Sequence, residues 1–440
     1  MSFKSVEKRT LLYSILKFLV SKAFHIFYQI TVDDEQDDLE DGEPVIYAPN
    51  HQNALIDPLA IIFTRKGQIV FLARSDIFNN KFIAELLYSI KMLPIFRIRD
   101  GFENLHKNQK IFDKTMDVIA SGNGLGVFPE ANHAGYRRLR ILKKGIGRMA
   151  FQTEINYNEN LDVKIVPVGI EYEHYYWFRS KLHVTYGKSI SVKDYIEEYK
   201  KDAPRGLNTL SKAIKEGITP LMVDISLKDN IEYEMTNFLT NINYNFKNDD
   251  LSLSFKDKVE LDKILVEKVI ESKESNLTLF NSLISKVKDY KTSINKIKTD
   301  DYSVGVIANN KSFLYFYPIL AITFPMYLIG SISNYIPYKI PYFTTRKMPD
   351  IQFHSTMYFA VGGLVTIPMF YTIYLFVLNS YFGIVTAVIL LIGIGVLGIF
   401  SFEYFKLFVK LKRINRFKNS SKKKETIKMR DEIISMIETL

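Results

Sequence analysis

The chain of 440 residues contains no cysteine. That excludes a disulfide scaffold, a thiolate zinc site and any cysteine nucleophile or cysteine-borne acyl group. Acidic residues are nearly missing from 313–400, and Thr356–Phe400 has no charged side chain at all. A transport path normally shows ionisable groups inside the membrane, so this stretch argues against a transporter or channel. A secretory signal is also lacking. The apolar stretch from Leu11 to Ile30 is interrupted by Lys17, Lys22 and His25, and no small-residue cleavage site follows. Leu12, Ile15, Leu16, Leu19, Val20, Phe24 and Phe27 instead follow helical spacing with the lysines off that stripe. An amphipathic helix on a membrane surface is expected over residues 1–35.

What is present divides the chain. A length of 440 residues exceeds one typical core. From residue 36 to 226, short apolar runs alternate with helical patterns. Val45–Ala48, Ile69–Ala73, Gly126–Phe128, Lys164–Ile170 and His183–Tyr186 read as strands, and Asp57–Phe63, Asn104–Ala120 and Lys144–Gln152 as helices. This predicts an α/β domain, a mixed sheet flanked by helices. Residues 227–306 are rich in Asp, Glu, Lys and Asn, and Phe280, Leu283, Ile284, Val287 and Tyr290 form one helical face. A helical insert is expected there.

The membrane region is expected over 307–402. Thr356–Leu378 and Phe382–Phe400 are each long enough to cross a bilayer and predict a hairpin at about 356–400. The apolar stretch 313–334 carries Pro318 and Pro325; with the α/β domain also cytoplasmic it reads as re-entrant or interfacial, and three true spans are the alternative. Lys339, Arg346 and Lys347 precede the hairpin, and Lys406, Lys410, Lys412, Arg413, Arg416 and Lys422–Lys424 follow it, which places both flanks in the cytoplasm. Residues 403–440 read as a basic cytoplasmic tail. The net charge of +10 favours anionic lipid over nucleic acid as its partner, because the tail abuts a membrane span and lacks interleaved aromatics.

The chemistry-bearing residues lie in the α/β part. In "VIYAPNHQNALIDPLAIIF", Asn50-His51 follows a strand and Asp57-Pro58 opens a helix. Asp before Pro is a favoured helix start, so Asp57 reads either as an N-cap or as the carboxylate orienting a His51 base. Residues six apart do not share a helix face, so the pair meets only if His51 sits on an irregular loop folded back on the helix entry. "KMLPIFRIRDG" delivers Arg97 and Arg99 into a turn, where guanidinium forks suit a phosphate. "GLGVFPEANHAG" projects Glu130 from a strand end, with His133 read as a surface-loop histidine. "LKKGIGRMAF" sets Lys143, Lys144 and Arg148 at a helix start, and "KIVPVGIEY" breaks a strand with Pro167, which suggests an edge, a bulge or a pocket wall.

Asn50-His51 with Asp57, then Phe96 and Arg99, then Phe128-Pro129-Glu130, then Val166-Pro167-Val168-Gly169 resemble, in order, the four blocks of the glycerolipid (PlsC-like) acyltransferase family. The resemblance covers roughly residues 40–190. It implies transfer of an acyl group from a thioester, acyl-CoA or acyl carrier protein, to a hydroxyl of glycerol 3-phosphate or its 1-acyl derivative. His51 would be the general base, Asp57 its orienting acid and Arg99 the phosphate ligand, with Arg97 or Lys143 as auxiliaries. Asn50, Glu130 and Pro167 would line the substrate site. No metal, resident cofactor or covalent acyl-enzyme is implied. Two features depart from the family pattern: five residues rather than four separate His51 from Asp57, and Ala131 stands where a glycine usually follows Phe-Pro-Glu. The departures keep a second reading open, an inert lipid-binding scaffold on the same fold, or an acyltransferase for another lysolipid.

Overall fold

A computed structural model describes residues 6–35, 39, 42–96, 107–251, 253–346, 348 and 351–440. The chain divides into two units, Met1–Asp224 with Asp350–Thr356, and Ile225–Pro349 with Met357–Leu440.

The first unit is built on a mixed sheet of β1 (Tyr28–Asp34), β2 (Val45–Pro49), β3 (Ile69–Arg74), β4 (Met92–Ile95), β5 (Gly124–Gly126), β6 (Lys164–Tyr172), β7 (Ser180–Tyr186) and β8 (Ile190–Ser191). Strand order is β1-β7-β6-β2-β5-β3-β4, with β8 beside β6. Only β6 with β7 and β6 with β8 run antiparallel. The unit's helices are α1 (Leu11–Phe27), α2 (Ile56–Thr64), α3 (Lys81–Ser89), α4 (Lys107–Ala120), α5 (Gly145–Asn156), α6 (Ile196–Lys201) and α7 (Ala203–Ile218). Ile46, Val70, Leu125 and Ile165 of the sheet pack with Ile111 and Ile119 of α4, Ile146 and Phe151 of α5 and Leu210 and Ile214 of α7 in one core. Side chains alternate along a strand, so Tyr47 and Tyr186 face the other way. There Thr64, at the end of α2, meets the Tyr186 hydroxyl at 2.6 Å, and the Arg65 guanidinium lies 3.7 Å from the Tyr186 ring centre.

This corrects the expected boundary at residue 35. Tyr28–Asp34 is not the end of a surface helix but the edge strand β1, paired in register with all of β7. α1 buries Tyr13, Phe24 and Phe27 against the domain while Leu11, Leu12, Ile15, Phe18 and Leu19 stay exposed.

The second unit holds two groups of helices. α8 (Asn230–Leu251), α9 (Phe255–Ser275), α10 (Leu277–Ile297) and α11 (Asp301–Ala308) form a bundle, and the expected face of α10 is buried at Phe280, Leu283, Ile284, Val287 and Tyr290. α12 (Phe316–Thr345) comes next. α13 (Gln352–Met357), whose residues up to Thr356 belong to the first unit, passes through a π-helical stretch (Tyr358–Thr366) into α14 (Ile367–Phe382). α15 (Ile384–Lys418) and α16 (Lys423–Thr439) close the chain. Among the described residues three helices, Phe316–Thr345, Phe353–Phe382 and Ile384–Lys418, are long and apolar enough to cross a membrane. The last two are joined at Gly383, whose φ of +78° only glycine adopts without strain.

α12 therefore differs from the broken, re-entrant stretch expected at 313–334. Pro325, Pro337 and Pro341 lie inside one continuous helix. A proline leaves the carbonyl four residues earlier without its N–H, and neighbouring hydroxyls supply the missing donor. Tyr374 donates to Ser333 O at 2.7 Å and Thr366 to Pro337 O at 2.9 Å, the two carbonyls freed by Pro337 and Pro341. α15 packs antiparallel to α12. Asn334 donates to Ile394 O, Ser401 to Tyr327 O and Tyr404 to Leu320 O.

A basic tail was expected at the end of the chain, and α16 is instead part of the bundle. Thr426, Arg430, Ile433, Ile434 and Ile437 are buried, and Arg430 pairs with Asp301 at 2.9 Å, both almost wholly out of solvent.

Candidate active site

β2 lies between β5 and β6, and all three run parallel, so their carboxyl ends converge on one edge. Open α/β sheets present their chemistry at that edge. Asn50 leaves β2 there with its amide engaged by backbone: Oδ1 accepts from Ile170 N at 2.7 Å and Nδ2 donates to Ile170 O at 3.1 Å. Asn50 thus ties the loop to β6, and its buried side chain serves positioning.

The next residue carries the reactive geometry. His51 Nδ1 lies 2.7 Å from Asp57 Oδ2. A carboxylate accepts, so Nδ1 carries the proton and Nε2 holds a free lone pair. Among the described residues Nε2 has no hydrogen-bond partner, and the His51 side chain keeps 13% exposure while Asp57 has none. Asp57 is not the cap of α2. The N-cap is Leu55, without a side-chain bond, and Asp57 Oδ2 accepts from Gln52 N and Asn53 N, both at 2.7 Å. Its other oxygen accepts from the Tyr172 hydroxyl. Within this loop Ala54 adopts φ +32°. Burial, with the Asp57 charge beside it, pushes the Tyr172 phenol well above its ordinary range, so it stays a donor.

The imidazole is held from beneath and behind. Phe128 stacks on it with ring centres 3.8 Å apart and planes at 20°. Glu130, almost fully buried, accepts from His51 N through Oε1 at 2.7 Å. Glu130 Oε2 accepts from Arg140 Nε at 2.7 Å and Arg140 N at 3.1 Å. Both carboxylate oxygens are therefore engaged by protein, and Arg140 also reaches Asn132 O. Ala131, at the family's glycine position, adopts φ +63°, the left-handed conformation that glycine takes freely.

The remaining expected residues fall in different places. Arg97 and Arg99 lie outside the described residues. The chain up to them is clamped at Phe96, where Asn108 accepts from Phe96 N and donates to Phe96 O. Lys143 is exposed, with its backbone N–H on Pro129 O at 2.7 Å. Pro167 is not on an edge of the sheet. It sits inside β6, buried, with its ring against Gly217 of α7. Its carbonyl accepts from Gly187 N, and its nitrogen faces the same side, at the gap between the β8 and β7 pairings, where no donor is needed. His133, expected on a surface loop, lies edge-on to His51 with ring centres 5.4 Å apart.

Sequence reasoning missed Tyr172 and Arg140. Tyr172 closes the strand containing Pro167 and so ends at the same edge as His51. Arg140 belongs to a basic run whose charge gives no hint of a carboxylate partner ten residues upstream.

This parallel-strand edge thus carries a His–Asp pair, a buried glutamate and a backing phenylalanine. Residues 29–171 match the Acyltransferase family. Two curated yeast proteins (Saccharomyces cerevisiae) align with it, glycerol-3-phosphate O-acyltransferase 2 at 31% identity over 109 residues and glycerol-3-phosphate O-acyltransferase 1 at 30% over 112. The alignments take in 25% and 24% of this chain, and only 14% and 15% of those relatives' own length. A solved structure, the 1-acyl-sn-glycerophosphate acyltransferase PlsC from Thermotoga maritima, aligns with 45% of this chain and 79% of its own at 18% identity and a TM-score of 0.31. The α/β domain thus carries a segment similar to the Acyltransferase family.

Proposed function

We propose that the protein moves a fatty acyl group from a thioester to a hydroxyl of glycerol 3-phosphate or 1-acylglycerol 3-phosphate, with His51 as general base. The observation that carries this reading is the His51 Nδ1–Asp57 Oδ2 contact at 2.7 Å, with Nε2 left unpartnered among the described residues. Nε2 takes the hydroxyl proton as the oxygen attacks the thioester carbonyl. The tetrahedral intermediate then collapses, the C–S bond breaks, and the proton passes to the departing thiolate. A positioned base of this kind contributes roughly 10²–10⁴-fold. The donor, acyl-CoA or acyl carrier protein, is a co-substrate, and no resident cofactor is invoked.

Arg99, with Arg97 or the exposed Lys143, is assigned to the acceptor phosphate on charge alone. Glu130 is assigned to holding His51 and Arg140 rather than the glycerol. The two yeast relatives are named for glycerol 3-phosphate, which makes it the first acceptor to test. The exposed apolar face of α1, the three long apolar helices and the flanking Lys and Arg residues support an integral membrane protein with its α/β domain in the cytoplasm, on anionic lipid.

The test is acyl transfer by purified protein in lipid, with labelled acyl-CoA and each acceptor offered separately. Product from one acceptor, reduced at least about 10²-fold by His51→Ala, is expected. Product undiminished in the variant would remove His51 as the base, and His51-independent binding without turnover would favour the scaffold reading.

A further inference from the structure

The residues that open the second long apolar helix of the chain do not lie apart from the catalytic unit. Ile351–Thr356 belong to it, together with residues 1–224. Ser355, buried, donates its hydroxyl to Asn53 Oδ1. Asn53 in turn donates its own N–H to Asp57 Oδ2 and its amide to Tyr175 O. The Thr356 hydroxyl accepts from Leu55 N at 3.4 Å, and His354 faces the Tyr176 ring. The segment is therefore fastened to the same loop that presents His51, three hundred residues away in sequence.

One side chain of the segment reaches the histidines. The Phe353 ring stands perpendicular to His133, with centres 4.9 Å apart, and His133 is edge-on to His51. Phe128, His51, His133 and Phe353 thus form a continuous aromatic file, with Phe128 behind the imidazole and His133 and Phe353 on another side of it. The six residues carry no lysine or arginine, and the chain continues through Met357–Phe382 without a charged side chain. The segment itself offers a phosphate no cationic partner of this kind, whereas a hydrocarbon chain beside a phenyl ring leaves water at no electrostatic cost.

Resting on the acyl-transfer reading, we propose that Ile351–Thr356 is a wall of the active site and that Phe353 is a specificity residue contacting the acyl chain next to the thioester. The catalytic site is then completed by the segment that opens the second long apolar helix of the chain. Ser355 and Thr356 are its anchors, and acyl-chain preference is set there rather than by the four motif blocks.

Two measurements on the full-length protein in lipid test this. In the first, kcat/KM is compared for lauroyl-, myristoyl-, palmitoyl- and oleoyl-CoA in the wild type, Phe353→Ala and Phe353→Leu. Loss of a ring from an apolar pocket is expected to change the ratio between short and long donors by about tenfold in Phe353→Ala, with Phe353→Leu recovering most of it. Equal scaling of every donor, or no change, would overturn the proposal. The second measurement does not depend on turnover. The chain has no native cysteine, so Phe353→Cys supplies one thiol for maleimide labelling. A non-cleavable thioether analogue of palmitoyl-CoA should slow its labelling several-fold, and an unchanged rate would sink the assignment. If no acceptor is acylated yet the analogue protects, the acyl-binding wall stands and the transferase reading fails. If transfer proceeds and the analogue does not protect, the reverse holds.

Discussion

Asp57 does more than hold the His51 imidazole. Its two oxygens take three donors besides His51 Nδ1, namely the N–H groups of Gln52 and Asn53 and the Tyr172 hydroxyl. The carboxylate therefore shapes the loop and fixes the tautomer together. Tyr172 is linked to pH through this contact. Burial and the adjacent negative charge raise its phenol, so the folded chain keeps a proton that the unfolded chain releases above about pH 10. Stability contributed by that proton is complete below pH 10 and falls by about 1.4 kcal/mol per pH unit above it. Tyr172→Phe should unfold more easily at pH 8 but lose less stability between about pH 10 and 11 than the wild type. Thermal unfolding of the two proteins at each pH checks this, and parallel alkaline slopes would count against it.

Among the elements, β6 is the frame on which the site depends. It holds Asn50 through Ile170, accepts Asn50 N through Val168 and ends at Tyr172. Its glycine is needed for space rather than flexibility. A Cβ on Gly169 would collide with the Leu221 carbonyl oxygen and its side chain. Gly169→Ala should cost roughly 1–3 kcal/mol, as overpacking does, and lower activity by displacing the strand that carries Asn50 and Tyr172. Chemical denaturation and the acyl-transfer rate together report the two effects; an unaltered midpoint would show that Leu221 moves aside freely. β1 was not legible as a strand. Tyr28–Asp34 follows directly on a helical stripe, and its conformation comes from pairing with β7, some 150 residues later.

At the scale of the molecule, the insert and the chain's last helix form one bundle. Arg430 reaches Asp301, which also accepts from Tyr290 at 2.7 Å and Asn245 at 2.9 Å. Removing one partner of a buried ion pair leaves the other charge stranded, so Arg430→Ala should destabilise this unit by roughly 3–5 kcal/mol. Limited proteolysis in lipid should then cut first within α16, and wild-type resistance in the variant would refute the pairing's importance. The signal was present as a stripe at 426, 430, 433, 434 and 437. The surrounding lysines made the same segment read as a solvated tail.

The sequence by itself determined the order of the four motif blocks, the α/β character of the first half, the face of α10 and the lengths of the long apolar helices. Each is a local pattern, set by spacing of three to four residues, alternation or an uninterrupted apolar run. Tertiary structure decided the rest, because those features depend on partners far along the chain. Tyr172 and Asp57 are 115 positions apart, Arg430 and Asp301 129, and Ser355 and Asn53 302. A proline tolerated inside α12 because another helix supplies a hydroxyl, or a phenylalanine brought beside His133 by a distant segment, leaves no trace in local spacing. Long-range packing alone specifies it.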